Sequence, residues 1–152
     1  MHILLTRNLE DSNDLIQKLK SNGFKVSNLP LLKISKVNYD LIKLNNFNAI
    51  IFTSSNAIRF LDLKNFDKNN LCFCVGSSTE KTARLNGFQN VFAADGSVSN
   101  LKELVQQNLS VKDNKILYVS GEIVSYPLDE ELISVGYSVE RLINYTVKYN
   151  EN

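Results

Sequence analysis

The sequence predicts an α/β fold built on a parallel sheet. Three observations predict it. Short apolar runs alternate with stretches of helical periodicity, the pattern of βαβ units. A weak repeat recurs in "LKSNGFKVSNLP", "ARLNGFQNVFAA" and "ISVGYSVERLIN", each a helix end, a glycine, an aromatic residue and a new strand. Four strand candidates end in a small polar cluster that opens a helix: "ILLTRNLEDS", "IIFTSSNAI", "CFCVGSSTEK" and "LYVSGEIVS".

The elements follow in order. A strand over 3–6 leads into the helix "DSNDLIQKLKSNGF", which sets Leu15, Ile16 and Leu19 on one face. Asp11, Ser12 and Asp14 stand near its N-terminus, where carboxylates complement the helix dipole. Gly23 stops that helix and a strand over 25–29 follows; Gly87 and Gly136 are expected to stop two later helices in the same way. The apolar run 49–52 passes into Thr53, Ser54, Ser55 and Asn56 before the helical residues Ala57, Ile58, Phe60 and Leu61. Further strands are expected over 72–75, 90–92, 116–119 and 139–145.

A chain of 152 residues buries one good core, which excludes a large multidomain enzyme. The formal charge is +1 with both signs interspersed, so no basic stripe for nucleic acid exists and no nucleic-acid partner is expected. No apolar run reaches the roughly 20 residues of a membrane span. The acidic start, "MHILLTRNLEDSNDL", does not read as a signal peptide, so a cytoplasmic location is expected. Cys72 and Cys74, two apart in a strand, share a face and read as core packing. His2 is the only histidine and reads as structural, so no metal site is expected.

The polar clusters lie at the carboxyl ends of parallel strands. Ligands bind there in open α/β sheets, and helix N-termini offer unpaired N–H groups to anions. Anion cradles and plain helix caps share the same physics, and both readings stand at this point. Familiar phosphate and nucleophile motifs are missing. No GxxxxGK loop exists, Lys81 of "VGSSTEK" stands elsewhere, and one histidine at position 2 gives no Ser-His-Asp set. The first strand ends in Thr6 and Arg7 rather than in carboxylates, against a phosphoacceptor.

In this order, "ILLTR", "GFKVSNLPLLKI", "FNAIIFTSSNAIRFL", "CFCVGSSTEKTARLNGF", "ADGSVSNLKELV", "KILYVSGE" and "VERLINYTVKY" resemble the uroporphyrinogen-III synthase family along essentially the whole chain. The resemblance implies two α/β domains joined by a two-stranded ladder. Residues 1–34 would be the opening βαβ fragment of the first domain, and 35–38 a crossing strand. Residues 39–143 would form a complete five-stranded parallel-sheet domain, flavodoxin-like and doubly wound, with 144–152 the returning strand. The remainder of the first domain would then be absent from the chain. A βαβ fragment of that size leaves apolar surface exposed, so a partner is expected: a second copy forming a homodimer, or a separate C-terminal half.

The family's reaction closes the linear tetrapyrrole hydroxymethylbilane with inversion of the last pyrrole and loss of water, and it needs no cofactor. For this chain the resemblance implies a lyase of porphyrin and haem biosynthesis. Its contribution would be to hold one conformer and to help the hydroxyl leave. Substrate carboxylates would meet Thr53, Ser54, Ser55 and Asn56, then Gly76, Ser77, Ser78 and Thr79. Gly96, Ser97, Ser120 and Gly121 would extend that surface, with Arg7 as the basic residue at a strand end. Tyr145, in "LINYTVKY", matches the family's tyrosine at the return crossing and is the catalytic candidate. Two other readings remain: a non-catalytic module binding a tetrapyrrole or another polycarboxylate, and an inactive truncated remnant.

Overall fold

The computed structural model describes residues 1–40, 46–112 and 114–151. The chain divides into two compact units: Met1–Ser35 with Thr146–Asn152, and Lys36–Tyr145.

In the first unit, β1 (His2–Leu5) and β2 (Lys25–Asn28) pair in parallel, from His2 opposite Lys25 to Leu5 opposite Asn28. The connecting helix α1 (Leu9–Ser21) carries Glu10 and Asp11 in its first turn and Lys18 and Lys20 in its last, both favourable to the dipole. Its buried residues are Ser12 and Ile16. Leu15, expected beside Ile16, is 48% exposed, because the seam runs along 12, 16 and 19. Leu4, Leu9, Leu29, Leu31 and Leu32 are exposed as well.

The strand β3 (Leu32–Lys36) lies next to β8 (Ser138–Tyr149) in the sheet order. The two run antiparallel: Val37 N–H donates to the Asn144 carbonyl at 2.9 Å, and Asn150 N–H to that of Leu31 at 2.8 Å.

The second unit holds β4 (Ala49–Phe52), β5 (Leu71–Val75), β6 (Asn90–Ala94) and β7 (Lys115–Gly121), interleaved with α2 (Ser55–Arg59), α3 (Ser77–Leu85), α4 (Val98–Asn108) and α5 (Leu128–Ser134). The spatial order is β8-β7-β4-β5-β6, with parallel pairing at every step. With β3 on its edge the sheet is mixed. Counted from β4, the parallel strands stand in the order 3-2-1-4-5. That corrects the flavodoxin-like expectation, whose order is 2-1-3-4-5. The reason is physical: apolar runs mark where strands are, whereas neighbours are set by the direction of each crossover. Here the chain winds from β4 outward to β6 and then crosses back to β7 on the other side of β4.

Every residue of β4 is buried, as a central parallel strand requires. Ala49 and Ile51, with Phe73, Ile116 and Tyr118, pack on Leu101 and Val105 of α4 and Leu128 and Leu132 of α5. By alternation Ile50 and Phe52 face the other way, and Phe52 meets Phe88 edge-on at 5.8 Å. Cys72 and Cys74 are buried with their sulfurs 3.8 Å apart. The hydrogen bond to Cys74, and then burial, push the Cys72 thiol far up, so it packs as a neutral group.

Candidate functional site

Because β4 lies between β5 and β7, the carboxyl ends of β4 and β7 stand side by side where the winding reverses. A cavity of about 190 Å³ opens there. Thr53 and Ser54 line it from the end of β4, Tyr118 and Gly121 from β7, Ile123 to Tyr126 from the loop that follows, Val98 from the start of α4, and Tyr145 from β8.

Tyr145 is positioned by a bulge. Ser120 pairs with Ile143 but Gly121 pairs with Tyr145, so Asn144 is the extra residue. Its side chain is fully buried, and Nδ2 donates to the Ala57 carbonyl at 2.7 Å, tying the bulge to α2. Asn144 Oδ1 has no hydrogen-bond partner among the described residues. Past the bulge the Tyr145 ring lies on Gly121, and a Cβ at that glycine would stand 2.8 Å from Cε2. Phe60 flanks the ring, with centroids 6.5 Å apart. The Glu122 N–H donates to the Tyr145 carbonyl at 3.0 Å, which holds the loop onto the strand.

Two more phenols face the cavity. Burial pushes Tyr118 above its ordinary range, while its hydrogen bond with Thr53 and the charge of Arg141 act the other way. Tyr126 is raised because it donates to the Glu131 carboxylate. Glu131 is in turn held below the usual carboxylate range, first by Tyr126 and then by Lys102, whose Nζ stands 3.0 Å away.

Of the sequence-predicted residues, Thr53, Ser54, Gly121 and Tyr145 meet around this cavity. The others lie elsewhere along the edge or are engaged internally. Ser54 caps α2 by accepting the Asn56 N–H at 3.2 Å, and Ser55 is buried. The Asn56 Oδ1 accepts from Arg59 at 2.8 Å. Gly76 has φ of 81° and donates its N–H to the Ala94 carbonyl, so that amide serves the fold. Ser77 and Ser78 are exposed at the start of α3, whose first turn has no side-chain cap, and Thr79 is buried. Gly96 turns the chain with φ of 78°, and Ser97 caps α4 through the Asn100 N–H at 3.4 Å. Ser120 is buried, donates to the Gly121 carbonyl and accepts from Arg141. Arg7 belongs to the other unit, where it is exposed and its carbonyl accepts from Asn28.

Comparison with known proteins gives this edge a context. The sequence profile described as uroporphyrinogen-III synthase HemD matches residues 13–152. The chain belongs to the uroporphyrinogen-III synthase family. The fold is similar to the crystal structure of uroporphyrinogen-III synthetase from Helicobacter pylori 26695, with a TM-score of 0.63 at 19% identity, covering 99% of this chain and 63% of that one. A mutant uroporphyrinogen III synthase from the extremely thermophilic bacterium Thermus thermophilus is similar at a TM-score of 0.61 and 15% identity, over 99% and 64% of the two chains. Among curated proteins, the uncharacterized protein RP474 of Rickettsia prowazekii (strain Madrid E) is 26% identical over 143 residues, 92% of this chain and 50% of its own length. The chain therefore spans half the length of that relative and under two thirds of the solved synthases. Among the described residues no helix is long and apolar enough to cross a membrane, and no group of three metal-ligating side chains gathers.

Proposed function

We propose that this chain supplies the substrate-facing sheet edge of a uroporphyrinogen-III synthase, which closes hydroxymethylbilane with inversion of the last pyrrole and loss of water. The observation that carries the reading is the cavity at the switch point of the sheet, with the Tyr145 hydroxyl end seated on Gly121 at its wall. Tyr145 donates a hydrogen bond to the departing hydroxyl, a role open to a phenol O–H that need not give up its proton. Thr53 and Ser54 meet one part of the bilane. The uncapped first turn of α3 at Ser77 and Ser78, and the turn at Gly96 and Ser97, take acetate and propionate groups further along the edge.

Affinity argues for a completed assembly. Micromolar binding takes about 8 kcal/mol, and helix N-termini contribute about 0.3–1 kcal/mol each. A few such ends fall well short, so full activity requires a second copy or a separate C-terminal half. The exposed Leu4 of β1 and Leu9 and Leu15 of α1 fit that requirement.

The test generates hydroxymethylbilane in situ, adds this chain at several concentrations and separates the oxidised porphyrins by isomer. The inverted type III isomer, rising more steeply than linearly with protein, is the expected result. Only the spontaneous type I isomer at every concentration, from protein shown to be folded, would exclude completion by a second copy, and the same result with a separate C-terminal half added would overturn the reading.

A further inference from the structure

We propose that Arg141 is a positioning residue that sets where Gly121 and Tyr145 stand at the cavity; the consequence for substrate rests on the synthase reading above. Arg141 lies opposite Tyr118 in the β7–β8 ladder, before the end of β7. Its side chain nevertheless runs along the sheet to the end of β7. There Nε donates to Ser120 Oγ at 2.9 Å, and Nη2 donates to the carbonyls of Gly121 at 2.9 Å and Glu122 at 3.1 Å.

Those acceptors sit where the bulge at Asn144 interrupts the ladder. A bulge leaves backbone groups without their strand partner, and another donor can take that place. The half-buried guanidinium of Arg141 supplies it to consecutive residues, 120 to 122. The middle one, Gly121, is the seat of the Tyr145 ring. The last, Glu122, bonds the Tyr145 carbonyl and opens the loop that forms the cavity wall. One side chain thus fixes both the backbone under the catalytic candidate and the start of the wall opposite it.

A planar fork is what the geometry uses. Lysine carries the same charge on a flexible stem and cannot bond a hydroxyl and two carbonyls in fixed directions. Arg141→Lys therefore separates charge from geometry, and Arg141→Gln removes the charge as well.

The experiment records ring resonances of the full chain labelled with 13C-tyrosine, for wild type, Arg141→Lys and Arg141→Gln, each first shown to melt cooperatively. Tyr137, whose hydroxyl bonds the Leu109 carbonyl at 2.6 Å just before β8 begins, is the internal control. The expected result is a displaced or broadened Tyr145 signal in both variants with Tyr137 unchanged. A Tyr145 signal that stays in place in either folded variant overturns the proposal, as does one that moves only together with Tyr137.

Titration with a non-cyclising bilane analogue then reads the consequence, a roughly tenfold weaker Kd in Arg141→Lys. That ratio is the effect of about 1.4 kcal/mol. Equal affinity of wild type and variant would overturn the role toward substrate. Failure of the wild type to bind would instead show that this chain does not hold the bilane without a completing half, while the ring signal still decides whether Arg141 places Tyr145.

Discussion

Gly121→Ala tests the seat of Tyr145 in a way that can be worked through in numbers. The added Cβ would stand 2.8 Å from Cε2, 2.9 Å from Cζ and 3.2 Å from the hydroxyl oxygen of Tyr145. Carbon atoms rest about 3.5–4.0 Å apart, so the ring must retreat by roughly 0.7–1.2 Å. It has little room, being 9% exposed with Phe60 at its flank. Overpacking of this kind costs about 1–3 kcal/mol. At about 2–4 °C per kcal/mol for a chain of this size, the melting temperature should fall by roughly 2–12 °C. The decisive assay is a double-mutant cycle in urea with Tyr145→Ala. Once the ring is gone the new methyl enters vacated space, and Gly121→Ala should then cost less than about 0.5 kcal/mol, a coupling of about 0.5–3 kcal/mol. An equal cost in both backgrounds would show that the glycine is needed for something other than the ring.

Other consequences follow from the same contacts. Asn144→Ala should lose about 1–3 kcal/mol in urea denaturation, because it strips the Ala57 carbonyl of its buried donor; a loss under about 0.5 kcal/mol would contradict that account. Ser54→Ala should cost about 1 kcal/mol as a lost N-cap, whereas Ser77→Ala, in a helix without a side-chain cap, should be near neutral, and the reverse ranking would refute the assignment. The carboxyl of Glu131 is depressed below its ordinary value of 4.5, chiefly by Tyr126 and then by Lys102, so its stabilisation is complete above that value and is lost as pH falls through the lower folded value. Glu131→Gln should accordingly flatten the acid limb of stability against pH, measured by urea midpoints, and an unchanged slope would exclude the interaction.

The sequence carried the strands, the glycines that end helices and side-chain caps, because these depend on neighbours within a few residues. Ser54 and Ser97 are such caps, and the anion-cradle reading of their clusters shares its physics with that role. What it did not carry is whatever depends on strand order. Tyr118 reads as an ordinary core residue of β7. It becomes part of the cavity only because β4 stands beside β7 and brings Thr53 to its hydroxyl. Tyr126 and Glu131 read as loop and helix residues, and only the fold joins them to Lys102. Arg141 has the look of a solvated residue on an alternating strand, and its long reach to Glu122 leaves no local pattern. Asn144 held the one unused signal: a carboxamide between apolar residues of "LINYT" marks a place where the ladder is broken and a buried partner is needed.

The central claim is that the bilane meets this chain at the carboxyl ends of β4 and β7. Amide hydrogen exchange of the chain with and without a non-cyclising bilane analogue, near saturation, tests it most directly. The account predicts slowed exchange in residues 54–56 and 122–126, with the amides around Lys68 and Val111 unchanged. Protection confined to those distant segments, or none at 122–126 while the analogue is demonstrably bound, would contradict it.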